Sequence, residues 1–280
     1  MVGTVDRVVP PHRYKETPPS ARVPPDGTVD VAREGSVAVV ALNRPPVNAL
    51  SPELMDRLSG AMHDLEGDAD VRVVVLTGAG KVFCAGGDIA AFAGMDDDEL
   101  MTAIRAGQRL VWDVEHLDRP TIAAVNGACL GGGNGIAMAC DLRIASEDAV
   151  FGHPEASLGL TLAYAGSVRL ARLVGPARAK ELMFTAKRIS AREALAAGLV
   201  NEVVPGPEVL PHALALAREV AQNSPAAVRA AKRALNESLE KHYPNSIVAE
   251  ARYLAQVIAG DELREGFQAY LEKRRPSWRP

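Results

Sequence analysis

The sequence predicts an α/β fold in which a parallel sheet is covered by helices on both faces. Three short segments are almost wholly apolar, as expected of strands buried on both sides: "VRVVVLTG" (71–78), "TIAAVNG" (121–127) and "CDLRIAS" (140–146). Helical segments separate them, which is typical of strand–helix–strand crossovers. With 280 residues, of which 48% are hydrophobic, the chain is long enough to bury such a core.

The elements before this core follow from local signals. Residues 1–27 hold six of the nineteen prolines and little apolar periodicity, so we expect a flexible arm there. The next stretch, "TVDVAREGSVAVVALN" (28–43), predicts two strands joined by a turn at Glu34 and Gly35.

Capping signals in the sequence predict where several helices begin. Serine followed by proline marks an N-cap and a first helical position, and a serine with a glutamate three residues later forms a capping box. These signals occur at Ser51–Pro52, Ser224–Pro225 and Ser190 with Glu193. Gly198 is expected to end the third of these helices. The first helix should bury a stripe made of Leu54, Leu58, Met62 and Leu65.

The remaining chain is mostly helical. It ends in "DELREGFQAYLEKRR" (261–275), which predicts an amphipathic helix with a basic end. We therefore divide the sequence into an arm (1–27), a core (28–205) and a C-terminal helical region (206–280). Such a region often packs on a neighbouring subunit.

Composition narrows the classes of function and location. The formal net charge of −4 is small and mixed along the chain, which argues against nucleic acid and anionic membranes as partners. No run approaches the roughly 18 apolar residues of a membrane span, and the N-terminus lacks a signal-peptide core. Asp6 and Glu16 disfavour an organellar transit peptide without excluding one. Three cysteines in apolar or small-residue surroundings predict buried free thiols in a reducing compartment, and hence a cytoplasmic location. Cys and His residues nowhere show metal-ligand spacing, so no metal site is predicted.

Two stretches combine a strand end, glycines and a helix start: 76–92, "LTGAGKVFCAGGDIAAF", and 126–146, "NGACLGGGNGIAMACDLRIAS". The first N–H groups of a helix have no internal partner, and glycine lets a ligand approach them closely. Two such N–H groups that converge form an oxyanion hole. A tight turn without a ligand explains either stretch alone. The pair together favours a binding site, although neither matches a P-loop or a dinucleotide fingerprint.

"CAGGDI", "NGACLGGGNGIAMACD" and "FGHPEASLGL" together resemble the crotonase (enoyl-CoA hydratase/isomerase) superfamily, as do "LNRPPVNAL" and "AREALAAGLVNEVV". The resemblance extends over about 29–275. It implies a spiral core of ββα repeats with a C-terminal helical trimerisation region. It also implies an acyl-CoA thioester substrate and a homotrimer or a dimer of trimers. No cofactor is expected beyond the coenzyme A that forms part of the substrate.

The same resemblance assigns roles to individual residues. The main-chain N–H groups of Gly87 and Gly132 would hold the thioester oxygen, and Glu155 would be the acid/base. Contacts to coenzyme A would come from Ala85, Asp88, Ile89 and Ala90, and from Tyr270 and Lys273 on the C-terminal helix. An ordinary amphipathic helix explains the last two residues equally well. For Glu155, a salt-bridged surface carboxylate is the weaker alternative.

One departure decides the expected reaction. Hydratases of this superfamily carry a second glutamate, and its position here is Gly135. Half of the carboxylate pair that would orient water is therefore missing, so we place double-bond isomerisation by Glu155 first. Hydration or hydratase-lyase chemistry with one glutamate comes close behind. Ala163 stands where dienoyl isomerases have an aspartate, which argues against that reaction. An acyl-CoA-binding protein with little catalysis is the alternative from another class.

Neighbouring residues have bland and functional interpretations. His153 is expected to be a core or loop histidine, because Glu155 should point the other way. Tyr164 either helps to position water or forms a pocket wall. Phe92, Leu110 and Trp112 line the acyl pocket or belong to the core. The acidic run 96–98 is expected to start a helix rather than bind a metal.

Overall fold

A computed structural model describes residues 27–164, 166–239, 251–256, 258 and 262–278 of the chain. The predicted arm lies outside these residues except for Gly27, and its flexibility stays a prediction. The strands are β1 (Thr28–Glu34), β2 (Val37–Asn43), β3 (Val73–Gly78), β4 (Val82–Cys84), β5 (Thr121–Val125), β6 (Ala128–Leu130), β7 (Leu142–Ser146), β8 (Val150–Gly152), β9 (Arg188–Ser190) and β10 (Glu202–Val204).

Six strands form the main sheet, in the order β1-β2-β3-β5-β7-β10. The hairpin β1–β2 is antiparallel, and every other pair in this sheet is parallel. The three strands predicted from apolar runs, β3, β5 and β7, lie side by side in it. β3 and β5 are buried along their whole length, which confirms the prediction of a sheet covered on both faces.

A second sheet contains the short strands β4, β6, β8 and β9, in that order. Each is three residues long. The first three are parallel neighbours, so their carboxyl ends meet at one edge. The glycines singled out in the sequence follow β4 and β6 directly, and Glu155 follows β8. This edge therefore brings the two glycine turns and Glu155 together.

The helices begin at the residues that the capping signals predict. Ser51 accepts a hydrogen bond from the N–H of Leu54, and Ser190 with Glu193 makes the capping box. The helices are α1 (Pro52–Glu66), α2 (Ile89–Phe92), α3 (Asp97–His116), α4 (Gly132–Ala139), α5 (Gly166–Val174), α6 (Pro176–Thr185), α7 (Ala191–Ala196), α8 (Val209–Ala221), α9 (Pro225–Ser238) and α10 (Glu262–Leu271).

Alternate side chains of the main sheet supply two hydrophobic layers. Val73 and Val75 pack with Ala213 and Ala217 of α8 on one face. Val74, Leu76 and their neighbours pack against α1, α3 and α4 on the other. The predicted stripe of α1 lies in this second layer, and its members Leu54, Leu58, Met62 and Leu65 are all buried.

The described parts of the C-terminal region are largely helical, as predicted, but one residue lies elsewhere than expected. Helix α10 ends at Leu271, so Lys273 is not on the helix. It lies in the turn just after it, is exposed, and has a φ of 55°. The side chain of Tyr270 lies outside the described part of the chain. Among the helices that the structure describes, none has the length and apolar character required to cross a membrane.

Candidate active site

Residues 85–88 form the first glycine turn, and the main chain of Leu50 fixes it. The N–H of Leu50 donates to the carbonyl of Gly86 at 2.8 Å, and the N–H of Asp88 donates to the carbonyl of Leu50 at 3.0 Å. A strand neighbour that bonds to the residues on either side of Gly87 leaves the polar groups of Gly87 facing away from it. The N–H of Gly87 therefore points to the side opposite Leu50.

Residues 131–133 form the second glycine turn, which packs directly on the first. Gly86 has a φ of +101°, and a side chain there would meet the carbonyl oxygen of Leu130 at 2.9 Å and the nitrogen of Gly132 at 3.3 Å. A Cβ on Gly133 would lie 2.3 Å from the carbonyl oxygen of Cys84. The two turns approach this closely because glycine stands at both positions. Gly132 is the first residue of α4, where the N–H has no partner within the helix.

Asp88 caps the helix that leaves the first turn. Its carboxylate accepts hydrogen bonds from the N–H groups of Ala90 and Ala91, at 3.1 and 3.2 Å, and from Arg44 at 2.6 Å. Burial alone raises the pKa of Asp88, but these hydrogen bonds and the Arg44 charge outweigh it, so the pKa lies below its ordinary value. This side chain has its partners within the protein, and Ala90 and Ile89 next to it are exposed.

Glu155 lies in a short 3₁₀ helix, Pro154–Leu158, that follows β8. Its side chain is 15% exposed. Its Oε1 atom lies 3.4 Å from the position that a Cβ on Gly131 would take, so the carboxyl group adjoins the second turn. Oε2 is buried and has no hydrogen-bond partner within the described residues. Glu155 is therefore not a surface carboxylate, because its side chain is mostly buried and adjoins the second turn.

His153 contradicts one expectation from the sequence. It is 1% exposed, so it is a core histidine as predicted. However, Glu155 does not point the other way, because its Oε1 lies 3.7 Å from Nδ1 of His153. The 3₁₀ helix that begins at Pro154 brings the side chain of Glu155 next to that of His153. The second ring nitrogen, Nε2, lies 2.9 Å from the side-chain amide nitrogen of Asn134.

Tyr164 fills the space beside Gly135. Cβ atoms built on Gly107 and Gly132 would fall 2.2 and 2.5 Å from its ring, so these two glycines form a slot for the aromatic side chain. A Cβ on Gly135 would meet the Cβ of Tyr164 at 3.5 Å, an ordinary contact. The hydroxyl lies 3.6 Å from the sulfur of Met55, and burial raises the pKa of Tyr164 to about 12. Tyr164 is therefore a buried, protonated side chain whose hydroxyl contacts Met55.

Comparison with known proteins assigns the family. The sequence model of the family described as enoyl-CoA hydratase/isomerase matches residues 32–280. The chain is 40% identical to a short-chain-enoyl-CoA hydratase of Clostridium acetobutylicum, over 88% of this chain and 95% of that protein. The chain belongs to the enoyl-CoA hydratase/isomerase family.

Further relatives agree with this assignment. A crotonyl-CoA hydratase of Syntrophomonas wolfei is 39% identical over 88% of this chain and 95% of its own length. The crystal structure of an enoyl-CoA hydratase from Bacillus anthracis superposes with a TM-score of 0.88 at 38% identity, covering 90% of this chain and 98% of that one. The crotonase fold inferred from the sequence is thereby confirmed, and the relatives identify an enzyme.

The three aromatic and aliphatic residues proposed for the acyl pocket of this family member separate in the structure. Phe92 packs on the first turn, since a Cβ on Gly87 would lie 2.5 Å from its ring. Leu110 is a core residue with 1% exposure. Trp112 is exposed and stacks on His116, with 3.7 Å between ring centroids. The acidic run 96–98 starts a helix as predicted, because Asp96 caps α3.

Three polar residues of the site region have roles that the sequence did not reveal. Buried Asn48 donates to the carbonyl oxygens of Val82 and Ala79, at 2.8 and 3.0 Å, and so connects the chain before α1 to the strand that leads into the first turn. Arg44 holds Asp88, and Asn134 contacts His153. Arg44 and Asn48 fall within the family segment "LNRPPVNAL", and that resemblance is the sequence signal that could have pointed to them. Asn134 stands in a run of glycines, and no sequence signal distinguishes it.

Proposed function

We propose that the protein adds water to the double bond of a 2-enoyl-CoA thioester, with Glu155 as its acid/base. The carrying observation is the buried Oε2 of Glu155, which lacks a partner among the described residues and belongs to a carboxyl group beside the second glycine turn. The hydratases that are about 40% identical to this chain favour hydration over isomerisation, which reverses the order inferred from the sequence.

In the proposed reaction, the N–H groups of Gly87 and Gly132 donate to the thioester oxygen. Oε2 of Glu155 accepts a proton from water while the water oxygen attacks the β-carbon, and an enolate forms. Donors placed at that oxygen stabilise the developing charge by several kcal/mol, on the order of 3 for a single donor. The carboxyl group then returns a proton to the α-carbon, so one water is added in total and Glu155 regains its initial state.

Double-bond isomerisation is the second candidate, and the surroundings of Gly135 favour it. The position has no side chain, and the neighbouring space holds the ring of Tyr164, whose hydroxyl contacts Met55. A single carboxylate suffices for isomerisation, because Oε2 removes a proton from C2 of a 3-enoyl-CoA and returns it at C4. The enolate between the two steps would use the same pair of amides.

Other parts of the proposal extend beyond the reacting groups. Coenzyme A would pass Ala85, Asp88, Ile89 and Ala90, of which the exposed Ile89 and Ala90 offer main-chain and apolar contacts. Tyr270 and Lys273 would contact the nucleotide across a subunit boundary in a trimer or a dimer of trimers. No cofactor beyond the substrate's own coenzyme A is required by this chemistry. A cytoplasmic location remains a prediction from the cysteines.

The test uses the purified protein with crotonyl-CoA and, separately, with a 3-enoyl-CoA, in H2O and in D2O. We expect crotonyl-CoA to gain the mass of one water, and in D2O to carry deuterium at the α-carbon. Conversion of the 3-enoyl-CoA without mass gain in H2O, together with no hydration of crotonyl-CoA, would replace the proposal by the isomerase.

The matched variants are Glu155→Gln and Glu208→Gln. Loss of the acid/base should lower kcat by about 10²- to 10⁴-fold. The same chemical change at Glu208, an exposed residue at the start of α8, should leave it unaltered. If the wild type turns over neither substrate appreciably, and Glu155→Gln binds acyl-CoA and keeps that low rate, the protein is a CoA-ester-binding protein with little catalysis.

A further inference from the structure

A row of three buried polar side chains leads to Glu155 from behind the second glycine turn. Cys129 of β6 lies 3.9 Å from Oδ1 of Asn134, measured from its sulfur. Nδ2 of Asn134 lies 2.9 Å from Nε2 of His153. Nδ1 of His153 lies 3.7 Å from Oε1 of Glu155. Cys129, Asn134 and His153 are each at most 1% exposed, so water does not compete for these contacts.

The donors in this row point in one direction. Burial, with smaller contributions from the neighbouring thiols, raises the pKa of Cys129 well above its ordinary value, so its sulfur carries a proton that it can donate. Oδ1 of Asn134 then accepts that proton, and the amide nitrogen donates to Nε2 of His153. A neutral imidazole that accepts at Nε2 carries its proton on Nδ1.

The orientation of the imidazole gives the two oxygens of Glu155 different surroundings. Oε1 faces the Nδ1–H of His153, and that nitrogen has no hydrogen-bond partner in the described part of the chain. Oε2 is buried and also unpartnered. A movement of less than about 1 Å would bring Nδ1 and Oε1 to ordinary hydrogen-bond distance. Catalytic hydrogen bonds commonly tighten in this way when substrate binds.

We propose that His153, kept as its Nδ1–H tautomer by Asn134, is the positioning residue for Glu155. It holds the carboxyl group through Oε1, which leaves Oε2 as the atom that takes and returns the proton. The imidazole itself transfers no proton in this arrangement. The inference rests on the proposed acid/base function of Glu155, but the tautomer can be measured without any substrate.

The first test is two-bond ¹⁵N–¹H correlation NMR on the full-length protein labelled at histidine. We expect an Nδ1–H pattern for His153 at neutral pH, with the signal assigned by its loss in His153→Gln. His63 and His116 are internal references, because their Nδ1 atoms lie 2.8 and 3.0 Å from carbonyl oxygens and must donate. An Nε2–H tautomer or an imidazolium at His153 would overturn the proposal.

The second test separates positioning from packing. His153→Leu should lower kcat by about 10- to 100-fold with KM within a factor of two, because a misplaced acid/base costs that much while thioester binding persists. His153→Gln, which keeps a donor, should recover part of the rate. Asn134→Leu should lower kcat in the same way and shift the His153 signal towards the Nε2–H form. An effect confined to KM, or equal loss in both His153 variants, contradicts the proposal.

The control is His212→Leu. His212 also pairs with a glutamate, Glu202, at 2.7 Å, but on the exposed surface at α8 and β10. Its replacement should leave kcat unchanged. The outcomes for the two proposals differ: wild-type activity in Glu155→Gln refutes the acid/base role of Glu155, and with it the need for positioning, whichever tautomer His153 has. An Nε2–H tautomer together with an inactive Glu155→Gln refutes only the positioning role of His153.

Discussion

The two glycine turns have the same place in the topology but are built differently. Each follows a three-residue strand of the second sheet and begins a helix. In the first turn, the side chain of Asp88 caps α2 by accepting from two main-chain N–H groups. In the second, the residue before α4 is Gly131, which supplies no side chain to cap the helix.

This difference determines what each turn offers a ligand. The capped turn uses its first helical N–H groups internally, so the contribution left to it is the N–H of Gly87, which the bridge to Leu50 turns outward. The uncapped turn keeps the N–H groups at the start of a helix open, where the helix dipole favours negative charge. We infer that the N–H groups of the second turn supply more of the electrostatic stabilisation of the thioester oxygen. The first turn mainly holds the N–H of Gly87 at a fixed distance from them.

The largest loss of stability should come from inserting a methyl group into the contact between the two turns. Gly133→Ala would drive a Cβ to 2.3 Å from the carbonyl oxygen of Cys84, which belongs to the main chain and cannot rotate away. We expect a loss of about 2–3 kcal/mol of unfolding free energy, measured by urea denaturation. Gly87→Ala is the control, because its clash is with the movable ring of Phe92. Equal stability losses in both variants would show that the turns are not built differently in this respect.

A smaller loss is expected at the cap of the first turn. Asp88→Ala removes the acceptor of two N–H groups and the partner of Arg44, and should cost about 1–2 kcal/mol at pH 7. Asp88→Asn keeps the cap and loses only the charge, so it should cost less than Asp88→Ala.

The acid dependence of this loss has a definite sign. The pKa of Asp88 is lower in the folded protein than its ordinary value. Its charge therefore contributes stability that is complete above the unfolded pKa, about 4, and that disappears as the pH falls through the lower folded pKa. The stability gap between wild type and Asp88→Asn should close on acidification over that window. A gap that widens in acid would contradict the assignment.

Helix α4 should tolerate a methyl group at Gly135, two residues beyond Gly133. A Cβ on Gly135 would make only ordinary contacts with Tyr164. Alanine is also more favourable than glycine inside a helix. Gly135→Ala is expected to stabilise the protein by up to about 1 kcal/mol. Thermal unfolding followed by circular dichroism measures the change. A destabilised variant would mean that the Tyr164 ring cannot accommodate even this group.

The smallest effect is expected at the hydroxyl of Tyr164. The slot between Gly107 and Gly132 accepts the ring, and within the described residues the hydroxyl's partner is a weak acceptor, the sulfur of Met55, at 3.6 Å. Tyr164→Phe should therefore change stability by less than about 0.5 kcal/mol and leave the hydration rate close to that of wild type. A rate loss beyond tenfold would restore the hypothesis that this hydroxyl positions water.

The sequence predicts a structural feature correctly where all the residues that determine it lie in one short segment. The caps at Ser51 and Ser190 are examples, because each depends on atoms within four residues. The strands β4, β6, β8 and β9 have three residues each, which is too short for alternation or apolar runs to reveal them. The predicted strands, the hairpin β1–β2 and the largely apolar β3, β5 and β7, have five to seven residues each and all lie in the main sheet.

The candidate site divides in a similar way. Glu155 and the two glycine turns were named from motifs, and the structure brings both turns and the Glu155 carboxyl group to one edge. The predicted direction of Glu155 relative to His153 was wrong, because the 3₁₀ helix that begins at Pro154 brings the carboxyl group next to the imidazole, which sequence spacing does not encode. Asn134 was missed because its partner lies nineteen residues away, on a different strand end.

The three free cysteines make the interior of this region chemically observable. Cys84 ends the strand before the first turn, Cys129 lies in the strand before the second, and Cys140 directly follows α4; all are buried. Burial raises the pKa of Cys84 and Cys140 to about 12, so at neutral pH almost none of the reactive thiolate is present. Alkylation with iodoacetamide should therefore proceed only through transient opening of the fold. Its rate, with and without acyl-CoA, would report how often the turns separate in the working protein.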